Sequence, residues 1–153
     1  CSAAPGWSCS PRQLEAQDET GMRYHSDSRG TGPFFPSMGG YPATHLQVPT
    51  TLPTLDELLG SGACASPDDL SRLYLDRISA RGRHVLTVHA EAEGMGWAGW
   101  FDRLLGELAR RGVCFSMLGE IADEALGRPE TIPRYALEMG ELPGRAGLVA
   151  IQS

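Results

Sequence analysis

Lysine is absent from this chain. All 13 basic residues among its 153 are arginines, set against 19 acidic residues, for a formal net charge of −6. The missing lysine fits a GC-rich coding sequence and carries no functional weight, but the missing basic cluster does. An acidic chain without one is not built to bind nucleic acid or to settle electrostatically on an anionic membrane. Scattered arginines still suit a clamp on a single phosphate. Long apolar runs are also lacking, none approaching the roughly 18–20 residues of a membrane helix. The four cysteines (Cys1, Cys9, Cys64, Cys114) form no C-x-x-C and have no histidine at zinc-finger spacing, so reduced, partly buried thiols in a cytoplasmic protein are expected. The opening residues carry no initiator Met, no basic n-region and no apolar h-region. A Pro5-Gly6-Trp7 turn without the strand that normally feeds it makes a piece of a longer chain the expectation.

What is present reads as a soluble globular composition, 41% hydrophobic and 21% charged. Ser10-Pro11-Arg12-Gln13 is a helix start, with serine as cap and proline in the first turn, and Gly21 is placed to end that helix. Residues 22–27 are expected to form a short strand. The stretch 28–54, rich in Gly, Pro, Thr and Ser, is long for a structureless loop, so it is either a functional loop or hides a strand at 46–48. Thr54-Leu55-Asp56-Glu57 reads as a capping box for a helix stopped by Gly60. Ser66-Pro67-Asp68-Asp69 opens another, with Leu70, Leu73, Tyr74 and Ile78 at helical spacing and Gly82 at its end. A strand over 84–89, a helix over 97–111, a strand over 113–117 and a short helix over 119–126 follow. This alternation predicts parallel α/β architecture, with three or four strands, too few to close a barrel of the usual size.

Polar clusters stand at three predicted strand ends: Pro5-Gly6-Trp7, Ser26-Asp27-Ser28-Arg29-Gly30 and His89-Ala90-Glu91-Ala92-Glu93-Gly94. Strand ends form the mouth of the active site in β/α folds, and a histidine there moves protons near neutrality. His89 is therefore the first candidate, with Asp27 as the other member of a catalytic dyad. The plain alternatives are a packed or capping histidine and an aspartate that caps a turn. His25, His45 and His84 read as structural or solvent histidines. Phe34, Phe35, Trp97 and Trp100 either face a lipid or sugar or, as the helical spacing of Trp100 with Leu104 and Leu108 favours, pack the interior.

These motifs, in this order, resemble a known family. Cys1 to Trp7, Arg23 to Gly30, Gln47 to Glu57, Thr87 to Gly94 and Pro143-Gly144-Arg145-Ala146-Gly147 look like the C-terminal half of the polysaccharide deacetylase (NodB-homology) superfamily. Within it they are most similar to the deformylases that act on undecaprenyl-phosphate-linked 4-deoxy-4-formamido-L-arabinose, in the aminoarabinose branch of lipid A modification and polymyxin resistance. The resemblance runs over residues 1–153 and implies one partial domain, the C-terminal part of a distorted (β/α)7 barrel incomplete at its N-terminus.

The activity so implied is metal-dependent hydrolysis of a formamide, with N-deacetylation of a polysaccharide such as peptidoglycan as the enzymatic alternative. His89 matches the family's general acid and Asp27 the carboxylate that supports it. Gly6 and Trp7 match the backbone that meets the oxyanion, and Arg29, Glu91, Glu93 and Arg145 are candidate substrate contacts. A divalent metal such as zinc is implied for the intact parent. Its ligand motifs are not found in this sequence, so no metal ligand is assigned and the isolated chain is expected to be inactive, a non-catalytic half. The superfamily's arginine beside Pro-Gly-Trp is also missing, Arg12 being the nearest. The implied partner is a lipid-linked amino sugar, met through peripheral contact at the cytoplasmic face of a bacterial inner membrane.

Overall fold

The computed structural model describes residues 1–78 and 82–153, which divide into two units with separate cores. The first holds Cys1–Thr51, Ser116–Glu141 and Gly147–Ser153. The second holds Leu52–Phe115 and Leu142–Ala146. Among the described residues no helix is long and apolar enough to cross a membrane.

In the first unit, α1 (Pro11–Glu19) starts where the sequence signals it: Ser10 Oγ accepts from Gln13 N–H at 3.2 Å, and proline fills a first-turn position whose N–H has no helical partner. Two short strands, β1 (Tyr24–His25) and β4 (Leu46–Gln47), pair in parallel. The stretch expected to be loop supplies more than the single strand foreseen. It also contains β2 (Phe35–Met38) and β3 (Tyr41–Pro42), joined through Gly39 and Gly40, whose φ angles of 58° and 85° make a turn that suits glycine. The C-terminal residues, read from sequence only as an apolar run, form the longest strand pairing among the described residues. β5 (Arg134–Glu141) lies antiparallel to β6 (Leu148–Gln152) and parallel to β2, giving the sheet order β3-β2-β5-β6. Its sheets are therefore mixed, not purely parallel. Cys9, Leu14, Phe34, Ala43, Leu137 and Ala150 make this unit's core. The unit also contains α5 (Leu118–Leu126), where Glu120 reaches back to Met117 N–H at 2.8 Å.

The second unit is mostly helical. α2 (Leu55–Ser61) starts at the predicted box, but only half of the box forms: Glu57 accepts from Thr54 N–H at 3.0 Å, while Thr54 Oγ1 is buried without a partner. The helix runs past Gly60 and ends on Gly62, whose φ of 66° is the left-handed cap. α3 (Pro67–Ile78) and α4 (Ala98–Arg110) pack Leu70, Tyr74, Trp100, Leu104 and Leu108 into one core. The predicted close of α3 at Gly82 involves residues 79–81, which lie outside the described residues. Trp100 donates its indole N–H to Pro67 O at 3.1 Å and Ser71 Oγ at 3.0 Å, and Phe34 is wholly buried in the first unit. Both are core residues, which removes them from any lipid-facing surface.

The expected strands at 84–89 and 113–117 are not strands. Both segments lie outside any sheet ladder, although Leu52 N–H reaches Val85 O at 3.1 Å. Their apolar content predicts burial against a neighbour; a strand additionally requires a backbone beside it to take up its N–H and C=O groups. In these segments Val88 is 47% exposed, Phe115 61% and Met117 75%.

Candidate active site

His89 closes the extended segment and precedes a single π-helical turn, Ala92–Gly96, that leads into α4. Its own N–H donates to Glu93 Oε2 at 2.8 Å, and its carbonyl accepts from Ala92 N and Glu93 N, both at 3.0 Å. Glu93, although charged, is buried. Its observed contact is with the backbone of His89, which it pins at the start of the turn. Glu91 is exposed. The imidazole is 42% exposed and its Nδ1 stands 3.6 Å from Oδ1 of Asp56, in the first turn of α2. The other oxygen of Asp56 lies 3.8 Å from Arg145 Nη1, which is also 4.0 Å from Glu57 Oε1. Below this group Tyr74 donates to Pro53 O at 2.9 Å. Burial first, and then the carboxylates of Glu93, Glu57 and Asp56, push its phenol well above the ordinary range, so it stays a hydrogen-bond donor at every physiological pH.

The sequence reading missed Asp56. Thr54-Leu55-Asp56-Glu57 was legible as a helix start, and a first-turn aspartate is accounted for by the helix dipole alone. Only the fold shows that this carboxylate lies between a histidine 33 positions along the chain and an arginine 89 positions along it.

The remaining candidates lie in the first unit. Asp27 is fully buried, and its carboxylate accepts from Ala4 N–H, Gln17 Nε2 at 2.8 Å and Gln47 Nε2 at 3.1 Å. Pro5-Gly6-Trp7 forms a single 3-10 turn in which both Gly6 (φ 67°) and Trp7 (φ 51°) are left-handed, an uncommon state for a tryptophan. The Trp7 N–H donates to Ala4 O at 3.2 Å, so this candidate oxyanion donor is used by the turn itself. The Trp7 ring is buried, with its indole on Thr50 Oγ1 at 3.2 Å and the Arg29 guanidinium 4.8 Å above its face. Arg29 is itself buried, and its backbone bridges Thr50 and Ile151.

A buried histidine pair adds a feature the sequence did not reveal. The His25 and His45 rings meet edge-on with centroids 4.6 Å apart. Their Nδ1 atoms bond Ser2 Oγ and Asp18 Oδ1, both at 2.8 Å, and neither Nε2 has a partner. Burial opposes ionisation of Asp18, but hydrogen bonds from Tyr41, His45 and Thr44 outweigh it and hold the carboxyl far below the usual range. Two imidazoles do not make a divalent site. Among the described residues no three His, Cys, Asp or Glu side chains converge to hold a metal ion, so the residues described here do not fit the metal that the resemblance implies.

No protein-family model matches the chain. It is 35% identical over 123 residues to a protein of Shewanella sediminis (strain HAW-EB3) named "Probable 4-deoxy-4-formamido-L-arabinose-phosphoundecaprenol deformylase ArnD". That match covers 80% of this chain and 39% of the relative. A protein of Wigglesworthia glossinidia brevipalpis with the same name is 31% identical over 153 residues, covering 99% of this chain and 52% of that one. The chain is similar to these two proteins over most of its own length. It spans about two fifths to one half of their length, and its similarity to them runs through both units.

Proposed function

We propose that this chain is the proton-donating portion of a deformylase that hydrolyses the formamide of undecaprenyl-phosphate-linked 4-deoxy-4-formamido-L-arabinose. The observation that carries the reading is the similarity over 99% of the chain to a relative of that name, joined to a half-exposed His89 held at its backbone by Glu93 and faced by a carboxylate. Amide cleavage needs such a group, because nitrogen leaves as an amine only if it is protonated as the C–N bond breaks. His89 gives that proton, water supplies the oxygen, and formate and the free amino sugar result. Asp27 keeps the role implied by its place in the resemblance, the carboxylate that supports His89. Arg29 and Arg145 are proposed for the substrate's phosphate. The resemblance also implies the C-terminal part of a (β/α)7 barrel, a divalent metal and work at the cytoplasmic face of the membrane. Because the described residues do not fit the metal, no step is drawn through it.

Formate release from the lipid-linked formamido sugar by the full-length gene product tests the proposal. His89→Ala is expected to lower the rate at least about 100-fold. Acetate release from an N-acetylated polysaccharide, with no formate, supports the deacetylase alternative instead. A near-wild-type rate in His89→Ala removes this residue from the mechanism.

A further inference from the structure

His25 ends β1 and His45 directly precedes β4, two strands that run parallel with Tyr24 beside Leu46. Continuing that register sets His45 beside Arg23, on the same face as His25. A third segment joins them. Ser2 bridges His25 in parallel, and Ser26 N–H donates to Ser2 O at 2.9 Å. Ser2 and Ala4 are half-buried and Cys1 and Ala3 exposed, so a surface segment borders a fully buried histidine. Each ring uses Nδ1 and leaves Nε2 idle. The ionised Asp18 only accepts, so His45 carries its proton on Nδ1. Donating Nδ1–H to Ser2 Oγ likewise leaves His25 with an idle lone pair, a less costly orphan than an idle N–H. Both rings are then neutral, edge-on with centroids 4.6 Å apart, and neither Nε2 has an acceptor for a further proton.

We propose that His25 is an acid-sensitive latch, which holds residues 2–4 against β1 while neutral and releases them when protonated. The charged and titratable groups around it are His45 before β4, Asp27 beyond β1, the N-terminal amine, and Asp18 on α1. Burial, the His45 ring and the amine oppose the proton, and Asp27 and Asp18 do not outweigh them. A protonated ring must reach water, and the half-buried segment beside it is what yields. Three bonds hold that segment: Ser2 Oγ to His25 Nδ1, Ser26 N–H to Ser2 O, and Ala4 N–H to Asp27. β1 keeps its other side, where Val48 N–H donates to His25 O at 2.8 Å and Ser26 Oγ to Val48 O at 2.7 Å. Opening is therefore local, and Ala4 is where it matters. Its N–H meets Asp27, and its carbonyl accepts from Trp7 N–H at 3.2 Å. Release takes a donor from Asp27 and an anchor from the Pro5-Gly6-Trp7 turn together. The latch goes beyond the deformylase reading and stands or falls without it.

Backbone 15N–1H spectra of the 153-residue chain from pH 7.5 to 5.0, above the ordinary carboxylate range, test the proposal. The Ser2, Ala4 and Ser26 amides are expected to leave their folded positions together, with a midpoint below about 6.5. The Arg29 and Gln152 amides, bonded to Ala150 O and Arg29 O in the same unit, should keep theirs. Ser2→Ala removes the bond to Nδ1 and should raise the midpoint by about half a pH unit or more. His25→Gln should abolish the transition; if that variant does not fold, the Ser2→Ala midpoint decides alone. Amides that stay in place to pH 5.0, or a transition shared by Arg29 and Gln152, overturn the latch. So does a transition that persists in His25→Gln, or a midpoint that ignores Ser2→Ala.

Discussion

The environments of the histidines differ sharply. His89 is half exposed beside a half-exposed carboxylate, whereas His25 is fully buried. Burial first, and then the neighbouring His45 ring, depress the His25 pKa; Asp27 and Asp18 pull weakly the other way. Below the unfolded value of about 6.5 the unfolded chain therefore binds a proton that the folded chain refuses. Stability is full above that pH and falls as pH drops through it. The urea midpoint should decrease between pH 7.5 and 5.5, and His25→Gln should flatten that slope; an unchanged slope would show that His25 is not its source. Asp18 adds a second loss at lower pH, because below about pH 4 the unfolded chain binds a proton that the depressed carboxyl of the folded chain refuses. Cys9 is the opposite of a reactive thiol: burial first, then Asp27, push it up to about 11, so it should react with a thiol reagent far more slowly than exposed Cys1 and Cys114.

The elements that formed where the sequence placed them are those governed by local chemistry. Ser10 with Pro11, Glu57 three residues after Thr54, and the four-residue spacing of Trp100, Leu104 and Leu108 each act within a turn or two of helix. Segments 84–89 and 113–117 carry strand-like composition yet are not strands, because strand formation depends on a neighbour that composition does not specify. β2 and β5 went unread for the converse reason: they are defined by each other across almost 100 residues. The same non-local logic makes Gly144 a test of α2. With φ at 79° and no room for a methyl group against Glu57 O, Gly144→Ala should cost at least about 2 kcal/mol in a denaturation experiment and draw Arg145 away from Asp56. A stability unchanged within error would mean that the 143–145 segment does not dock as described.

For the molecule as a whole, several large apolar side chains left exposed among the described residues predict a sticky polypeptide. Val88, Met95, Phe115 and Met117 are all well exposed. Large apolar side chains so exposed invite association. Sedimentation velocity of the 153-residue chain should show a coefficient that rises with concentration, and a Val88→Thr, Phe115→Ser variant should reduce the rise. A concentration-independent monomer would show that these side chains are tolerated in water as they stand. The amino-acid sequence by itself determined the helix starts, the candidate histidine and the kinship with the ArnD deformylases, because caps, periodicities and ordered motifs are properties of neighbouring residues. The tertiary structure alone decided that Glu93 serves the backbone of His89, that Asp27 is held by two glutamines, and that Asp56 lies between His89 and Arg145. Those facts depend on which distant backbones approach closely enough for short side chains to meet, and no local pattern encodes that distance.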